Sequence, residues 1–183
     1  MKLAVIFPGI GYHTDKPLLY YSKKLAKEWK FEVIEISYGN FPPDVKGSPE
    51  KMKLAFLSAM EQTEQILTDV DFEAYDSLLF ISKSVGTAVA AAFAQQHHLT
   101  THNVFYTPVE ASFEFMNQDG IVFTGTKDPW IETAIVEQEC KKKNLPLYIT
   151  KNANHSLETG DVITDLVNLN EIMAKTKAYI TQL

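Results

Sequence analysis

Leu78-Leu79-Phe80-Ile81-Ser82-Lys83-Ser84-Val85-Gly86-Thr87-Ala88-Val89-Ala90-Ala91 changes character twice. An apolar run too short for a buried helix meets a small-x-Ser-x-small pentad, and the chain then passes directly into an alanine-rich segment. That pattern predicts a strand, a tight turn and a helix, with Ser84 at the apex. A side chain held on so sharp a turn needs strained backbone angles. The residues two before and two after it are pressed against neighbouring backbone and must be small, as Ser82 and Gly86 are. Two readings of Ser84 follow: an exposed nucleophile, or an ordinary helix N-cap, a position serine favours.

Upstream, Leu3 to Phe7 is a continuous apolar run closed by Pro8-Gly9, as expected of a strand buried on both faces of a parallel sheet. A helix is predicted from Pro17 to Trp29, with proline in its first turn, and a second strand from Phe31 to Ile36. Tyr38 to Asp44 is dense in turn formers. Met52, Phe56, Met60, Ile66 and Leu67 then outline one face of a helix running from Pro49 to about Asp69.

Downstream, the helix after Ser84 is expected to end near Gln96. Strands are predicted at Asn103 to Tyr106, Ile121 to Phe123 and Leu147 to Ile149, with a loop or single helical turn from Pro108 to Asp119. A helix is expected from Ile131 to Lys142, and a final one with Leu169, Ile172, Met173 and Ile180 on its buried side. Strands alternating with helices predict an α/β fold, a three-layer α/β/α sandwich on a six-stranded, mostly parallel sheet. The expected strand order is 2-1-3-4-5-6, with the switch point beside strands 1 and 3, where the Gly9 loop and the Ser84 turn both emerge.

The 183 residues are expected to form one domain, 1–183, without a lid domain. A net charge of -6 argues against nucleic acid as a partner and against membrane insertion or a membrane surface, neither of which an acidic field attracts. Cys140 is the only cysteine, so an intrachain disulfide and a zinc site on paired cysteines are both excluded. The start, Met1 to Gly9, is too short and too quickly broken by Pro-Gly for a secretory signal and is read as the first strand of a cytoplasmic protein.

A serine hydroxyl attacks a carbonyl only when a base takes its proton, an acid orients the base and donors stabilise the oxyanion. Asp128 follows the fifth strand in a Gly-x-x-Asp-Pro turn, where it serves either as the acid or as the N-cap of a helix starting at Pro129. His155 follows the last strand in the polar loop Asn152-Ala153-Asn154-His155-Ser156, where it has no packing role. Of the other histidines, His97 and His98 suit a helix C-terminus, and His102 begins a strand. His98 and His102 would share a metal only on a continuous helix, which Thr100-Thr101 interrupts, and no metal is expected. His13 with Asp15 is a rival base. The oxyanion donors are expected to be the backbone N–H groups of Val85, at a helix N-terminus, and Ile10, with Gly11 next to it.

Ser84 in such a turn, Asp128 after a strand and His155 after the last strand stand in the chain order of the α/β-hydrolase superfamily. The sequence resembles a small, lidless member, similar in scale to the dienelactone-hydrolase-like and minimal serine esterase groups. The resemblance runs from Phe7-Pro8-Gly9-Ile10-Gly11 to His155. Phe7-Pro8-Gly9 stands where many members have His-Gly, and Ser82 where they have glycine. The resemblance implies a cofactor-free serine hydrolase that cleaves a small-molecule acyl ester or thioester through an acyl-enzyme. Phe41, Phe113, Phe115, Met116 and Trp130 are candidates to line the acyl side of the pocket, or to be ordinary loop and core packing. Two further readings stay open. One is a hydrolase-like protein that binds without catalysis. The other is a dinucleotide-binding protein using Gly9-Ile10-Gly11, a partial G-x-G-x-x-G with Thr14 at the third glycine.

Overall fold

The computed structural model describes residues 1–41, 45, 48–116 and 119–183. Six strands form one parallel sheet in the order β2-β1-β3-β4-β5-β6. They are β1 (Lys2–Phe7), β2 (Glu32–Glu35), β3 (Ser77–Lys83), β4 (His102–Tyr106), β5 (Gly120–Gly125) and β6 (Leu147–Thr150). Five helices cover the sheet: α1 (Pro17–Glu28), α2 (Pro49–Leu67), α3 (Val85–Gln96), α4 (Thr133–Lys143) and α5 (Val162–Ile180). The predicted architecture and strand order are those observed, with every strand pair parallel.

Successive side chains of a strand point to opposite faces, and the core divides accordingly. Ala4, Ile6, Leu79, Ile81, Val104 and Phe123 face α1 and α5. Leu3, Val5, Phe7, Leu78 and Phe80 face α2 and α3. Phe105 and Val122 meet α4 and a five-residue 3-10 helix, Glu110–Glu114, in a third cluster. The central strands are therefore buried along almost their whole length, whereas the edge strands β2 and β6 are partly exposed. One polar link crosses the α1 and α5 side: the buried Tyr106 hydroxyl pairs with Ser22 Oγ of α1 at 2.9 Å and Thr176 Oγ1 of α5 at 2.7 Å. The two helix hydroxyls also lie 2.6 and 2.9 Å from carbonyls of their own helices, Leu18 and Ile172, so each of the three buried hydroxyls has a hydrogen-bond partner. Among the described residues no helix is long and apolar enough to cross a membrane.

Several expectations need correction. The buried stripe of α2 is Ala55, Ala59, Thr63 and Leu67, while Ile66 is exposed and Met52, Phe56 and Met60 are only half-buried. The small residues lie inward because α2 packs closely on α3, leaving the larger side chains along the flank. Helix α4 starts at Thr133, not Ile131, and Glu132 occupies its N-cap position. On α5, Thr176 is buried together with Ile172 and Ile180, while Leu169 and Met173 are only partly covered. The turn formers Pro42 to Asp44 lie outside the described residues.

Helix α3 fixes the geometry at the carboxyl edge of the sheet. It is buried from Val85 to Ala94, and its alanines let it lie flat against the sheet beneath α2. A Cβ on Gly86 would stand 2.4 Å from the Pro8 carbonyl oxygen and 2.5 Å from that of Phe7. Only glycine allows the first turn of α3 to close on the end of β1. Gly86→Ala is accordingly expected to destabilise the protein by about 1–3 kcal/mol, measured as a lowered urea midpoint at unchanged slope.

Candidate active site

Ser84 joins β3 to α3 with φ 57° and ψ -127°, a region that a non-glycine residue occupies only under constraint. Three bonds supply that constraint. The Ser84 N–H donates to the Tyr106 carbonyl at 3.0 Å, and the N–H and Oγ1 of Thr87 both donate to the Ser84 carbonyl, at 2.9 and 2.6 Å. The Ser84 side chain makes no capping bond to α3, so the N-cap reading does not describe its hydroxyl. Ser82 fits the position where many α/β-hydrolases have glycine because its buried hydroxyl donates to the Val104 carbonyl of β4 at 3.3 Å.

The Ser84 hydroxyl turns instead to His155. Its Oγ lies 2.7 Å from His155 Nε2, and His155 Nδ1 lies 2.7 Å from Asp128 Oδ2. A carboxylate only accepts, so Nδ1 carries the ring proton and Nε2 accepts from the serine. The Asp128 side chain is fully covered while that of His155 is 18% exposed. Asp128 Oδ1 accepts the Trp130 N–H at 2.9 Å. With α4 beginning at Thr133, Asp128 caps no helix and both of its oxygens are committed to this corner.

Two loops hold Asp128 and His155 together. A Cβ on Gly125 would stand 2.3 Å from the Ala153 carbonyl oxygen, so the end of β5 and the loop after β6 touch backbone to backbone. The Lys127 N–H donates to Ala153 at 2.9 Å, and the Asn152 N–H to Thr126 Oγ1 at 2.8 Å. Asn154 Oδ1 accepts the N–H groups of Ser156 and Glu158 at 2.7 and 3.2 Å and tightens the turn that carries His155. Sequence reasoning missed Thr107, the residue after β4. Its Oγ1 donates to the His155 carbonyl at 3.0 Å, and its φ of 42° is rare for a β-branched residue. The only sequence signal was its place at the carboxyl end of a strand.

A small cavity of about 50 Å³ lies over the serine, lined by Ile10, Val45, Met52, Val85, Val109 and Trp130 as well as Ser84 and His155. The loop after β1 closes into a tight turn in which the Gly9 and Tyr12 N–H and C=O groups exchange bonds at 3.1 and 3.2 Å. Gly11, with φ +74°, takes the turn position that needs a positive angle. Ile10 precedes it and borders the cavity. Among the described residues neither the Ile10 nor the Val85 N–H donates to a protein acceptor. Ile10 and Val85, the latter at the N-terminus of α3, thus border the cavity beside Ser84.

The other candidates separate. Trp130 lies beside His155, with ring centroids 5.9 Å apart. Phe113 and Met116 are core residues, 5% and 0% exposed, packed with Phe105 and α4 and absent from the cavity wall. Phe41 and Gly11 border a separate depression of about 240 Å³ on the other side of the Gly9 turn. His13 and Asp15 form no base pair: His13 Nδ1 accepts the Asp15 N–H, and the Asp15 carboxylate binds Lys23 at 3.0 Å. His97 and His102 pair with Glu64 and Asp119. The Gly9-Ile10-Gly11 turn stands apart from α1, which begins only at Pro17, so the helix that follows in sequence does not open on those glycines as a dinucleotide fingerprint requires. Val45, Met52 and Val109 were not foreseen. Met52 reads as a core residue by periodicity, and the close packing of α2 on α3 at Ala55 and Ala59 leaves it on the cavity side. Cys140 is buried away from the cavity, and burial, with a smaller contribution from the Glu139 charge, pushes its thiol up to about 12.

No family model and no curated protein matches the chain by sequence. Solved structures do. A proposed hydrolase of the α/β superfamily from Xanthomonas campestris pv. campestris superposes with a TM-score of 0.71 at 10% identity, covering 98% of each chain. An α/β serine hydrolase without a lid from Xanthomonas campestris gives 0.66 at 10% identity over 99% of this chain and 81% of that one. An esterase from Pyrococcus furiosus gives 0.68 at 12% identity, over 99% and 82%. The chain has the α/β-hydrolase fold.

Thr107→Val removes the bond to the His155 carbonyl and is expected to slow phosphonylation of Ser84 by a fluorophosphonate about ten- to hundredfold, while Thr107→Ser keeps the wild-type rate. Cys140 in the folded protein is expected to react with a disulfide reagent at neutral pH about a hundredfold or more slowly than in the unfolded chain.

Proposed function

We propose that this protein is a serine hydrolase of the esterase or thioesterase type, acting on a small acyl substrate through Ser84, His155 and Asp128. The observation that carries the reading is the unbroken chain of two 2.7 Å hydrogen bonds from Asp128 through His155 to a serine on a strained turn. A serine needed only for folding has no reason to hold φ at 57° and aim its hydroxyl at a histidine.

Ser84 Oγ bonds to the substrate carbonyl carbon as its proton passes to His155 Nε2. The carbonyl oxygen, now negative, lies against the N–H groups of Ile10 and Val85, which need no reorganisation to receive it. Collapse of the tetrahedral species breaks the bond to the leaving group, which takes the proton from His155 and leaves Ser84 acylated. Water then repeats the sequence, giving its proton to His155 and releasing the acid. Asp128 keeps the imidazole in the tautomer that accepts at Nε2 and balances its positive charge while it holds two protons. A buried carboxylate is effective here because water does not screen it.

The fold alone does not distinguish this reading from a protein that binds without catalysis, so the test is chemical. A fluorophosphonate is expected to label Ser84 in the wild type and not in Ser84→Ala. His155→Ala is expected to keep its thermal transition and lose about three or more powers of ten in ester turnover, with Asp128→Asn losing about four. A wild type that takes no label, or a fully active His155→Ala protein, overturns the proposal.

A further inference from the structure

The cavity over Ser84 has room for only a few atoms. At about 50 Å³ it admits roughly four water-sized groups, enough for a reacting carboxyl centre and no chain. It adjoins a groove of about 470 Å³ with an almost wholly apolar wall. Met52, Val85 and Val109 line both spaces, so the two are neighbours. The groove lies between the amino-terminal half of α2 and the 3-10 helix Glu110–Glu114, over the first turn of α3. Beyond Met52 and Val85 its wall is formed one helical turn further along, by Phe56 on α2 and Ala88 on α3, with Phe115 completing it. The rings of Phe56 and Phe115 lie stacked, with centroids 5.9 Å apart and planes 12° from parallel.

The placement of the groove about Ser84 assigns its occupant. In acyl transfer the leaving group takes its proton from His155 Nε2 and so departs on the His155 side, where Trp130 also stands. The groove shares Val85 with the site, and neither His155 nor Trp130 lines it. It therefore leads away from the oxyanion donors on the side opposite the leaving group, which is the side of the acyl substituent. Its charged borders, Lys53 and Glu114, are of opposite sign and favour no charge on the occupant. We infer that this groove receives the acyl chain, and that the substrates are esters or thioesters of neutral, apolar acids of medium chain length. The inference rests on the hydrolase reading and deepens it. Met52 and Phe56, half-buried on the flank of α2, are on this account part of the wall of a specificity groove.

The test is a series of p-nitrophenyl esters from acetate to octanoate, read beside labelling of Ser84 by alkyl fluorophosphonates of matching chain length. In the wild type kcat/KM and the labelling rate are both expected to rise about fourfold per added methylene while the groove fills. Ala111→Trp puts a large ring on the groove from an exposed position and is expected to lower the octanoate-to-acetate ratio at least about tenfold. If Ser84 is labelled but the rates are independent of chain length, or the ratio is unmoved in Ala111→Trp, the groove assignment falls and the hydrolase reading stands. If no fluorophosphonate labels Ser84 and no ester is cleaved, the hydrolase reading falls and takes this inference with it.

Discussion

The close approach of α3 to the end of β1 is the constraint on which the site depends. Gly86 lies against the carbonyls of Phe7 and Pro8, and that contact sets how sharply the chain must turn after β3. Ser84 is left no conformation but a strained one, and its hydroxyl is lifted clear of the helix it precedes. The same approach brings the N–H of Val85 next to the turn that holds Ile10. A strand switch point supplies the opening between β1 and β3, and one glycine determines how tightly it closes.

On the far side of the serine, a second backbone contact does the corresponding work. Gly125 against Ala153 locks the loop bearing Asp128 to the loop bearing His155, and Thr107 ties His155 back to β4. Asp128 and His155 therefore meet through loops anchored at three adjacent strands. That arrangement is held by the loops themselves, while α2 packs mainly on α3.

What the sequence made legible follows from what each residue answers to. The central strands were readable because both faces are buried, which forces continuous apolar runs such as Leu3 to Phe7. Ser84, Asp128 and His155 were readable because each follows a strand at one edge of the sheet, and parallel topology converts that order into proximity. The face of α2 was misjudged because periodicity ranks residues by size, whereas close helix packing selects the small ones, Ala55 and Ala59. The start of α4 was misplaced because Asp128 before Pro129 imitates a helix cap while its oxygens are engaged by Trp130 and His155. Phe113 and Met116 read equally as pocket lining or as core from their place in a loop; the 3-10 helix and the residues after it turn them into the core. Thr107 gave no signal, because a hydroxyl that bonds a backbone carbonyl distant in sequence leaves no local pattern.

The half-covered flank of α2 also bears on how such a protein changes over evolutionary time. The groups proposed to move protons are carried by loops at β3, β5 and β6, whereas the apolar groove is bordered by α2 and by the short helix between β4 and β5. Phe56, Ala111 and Phe115 line that groove and take no part in the bonds among Ser84, His155 and Asp128. Selection can act on the two parts separately, so descendants of one ancestral chain can diverge in diet while inheriting the same chemistry.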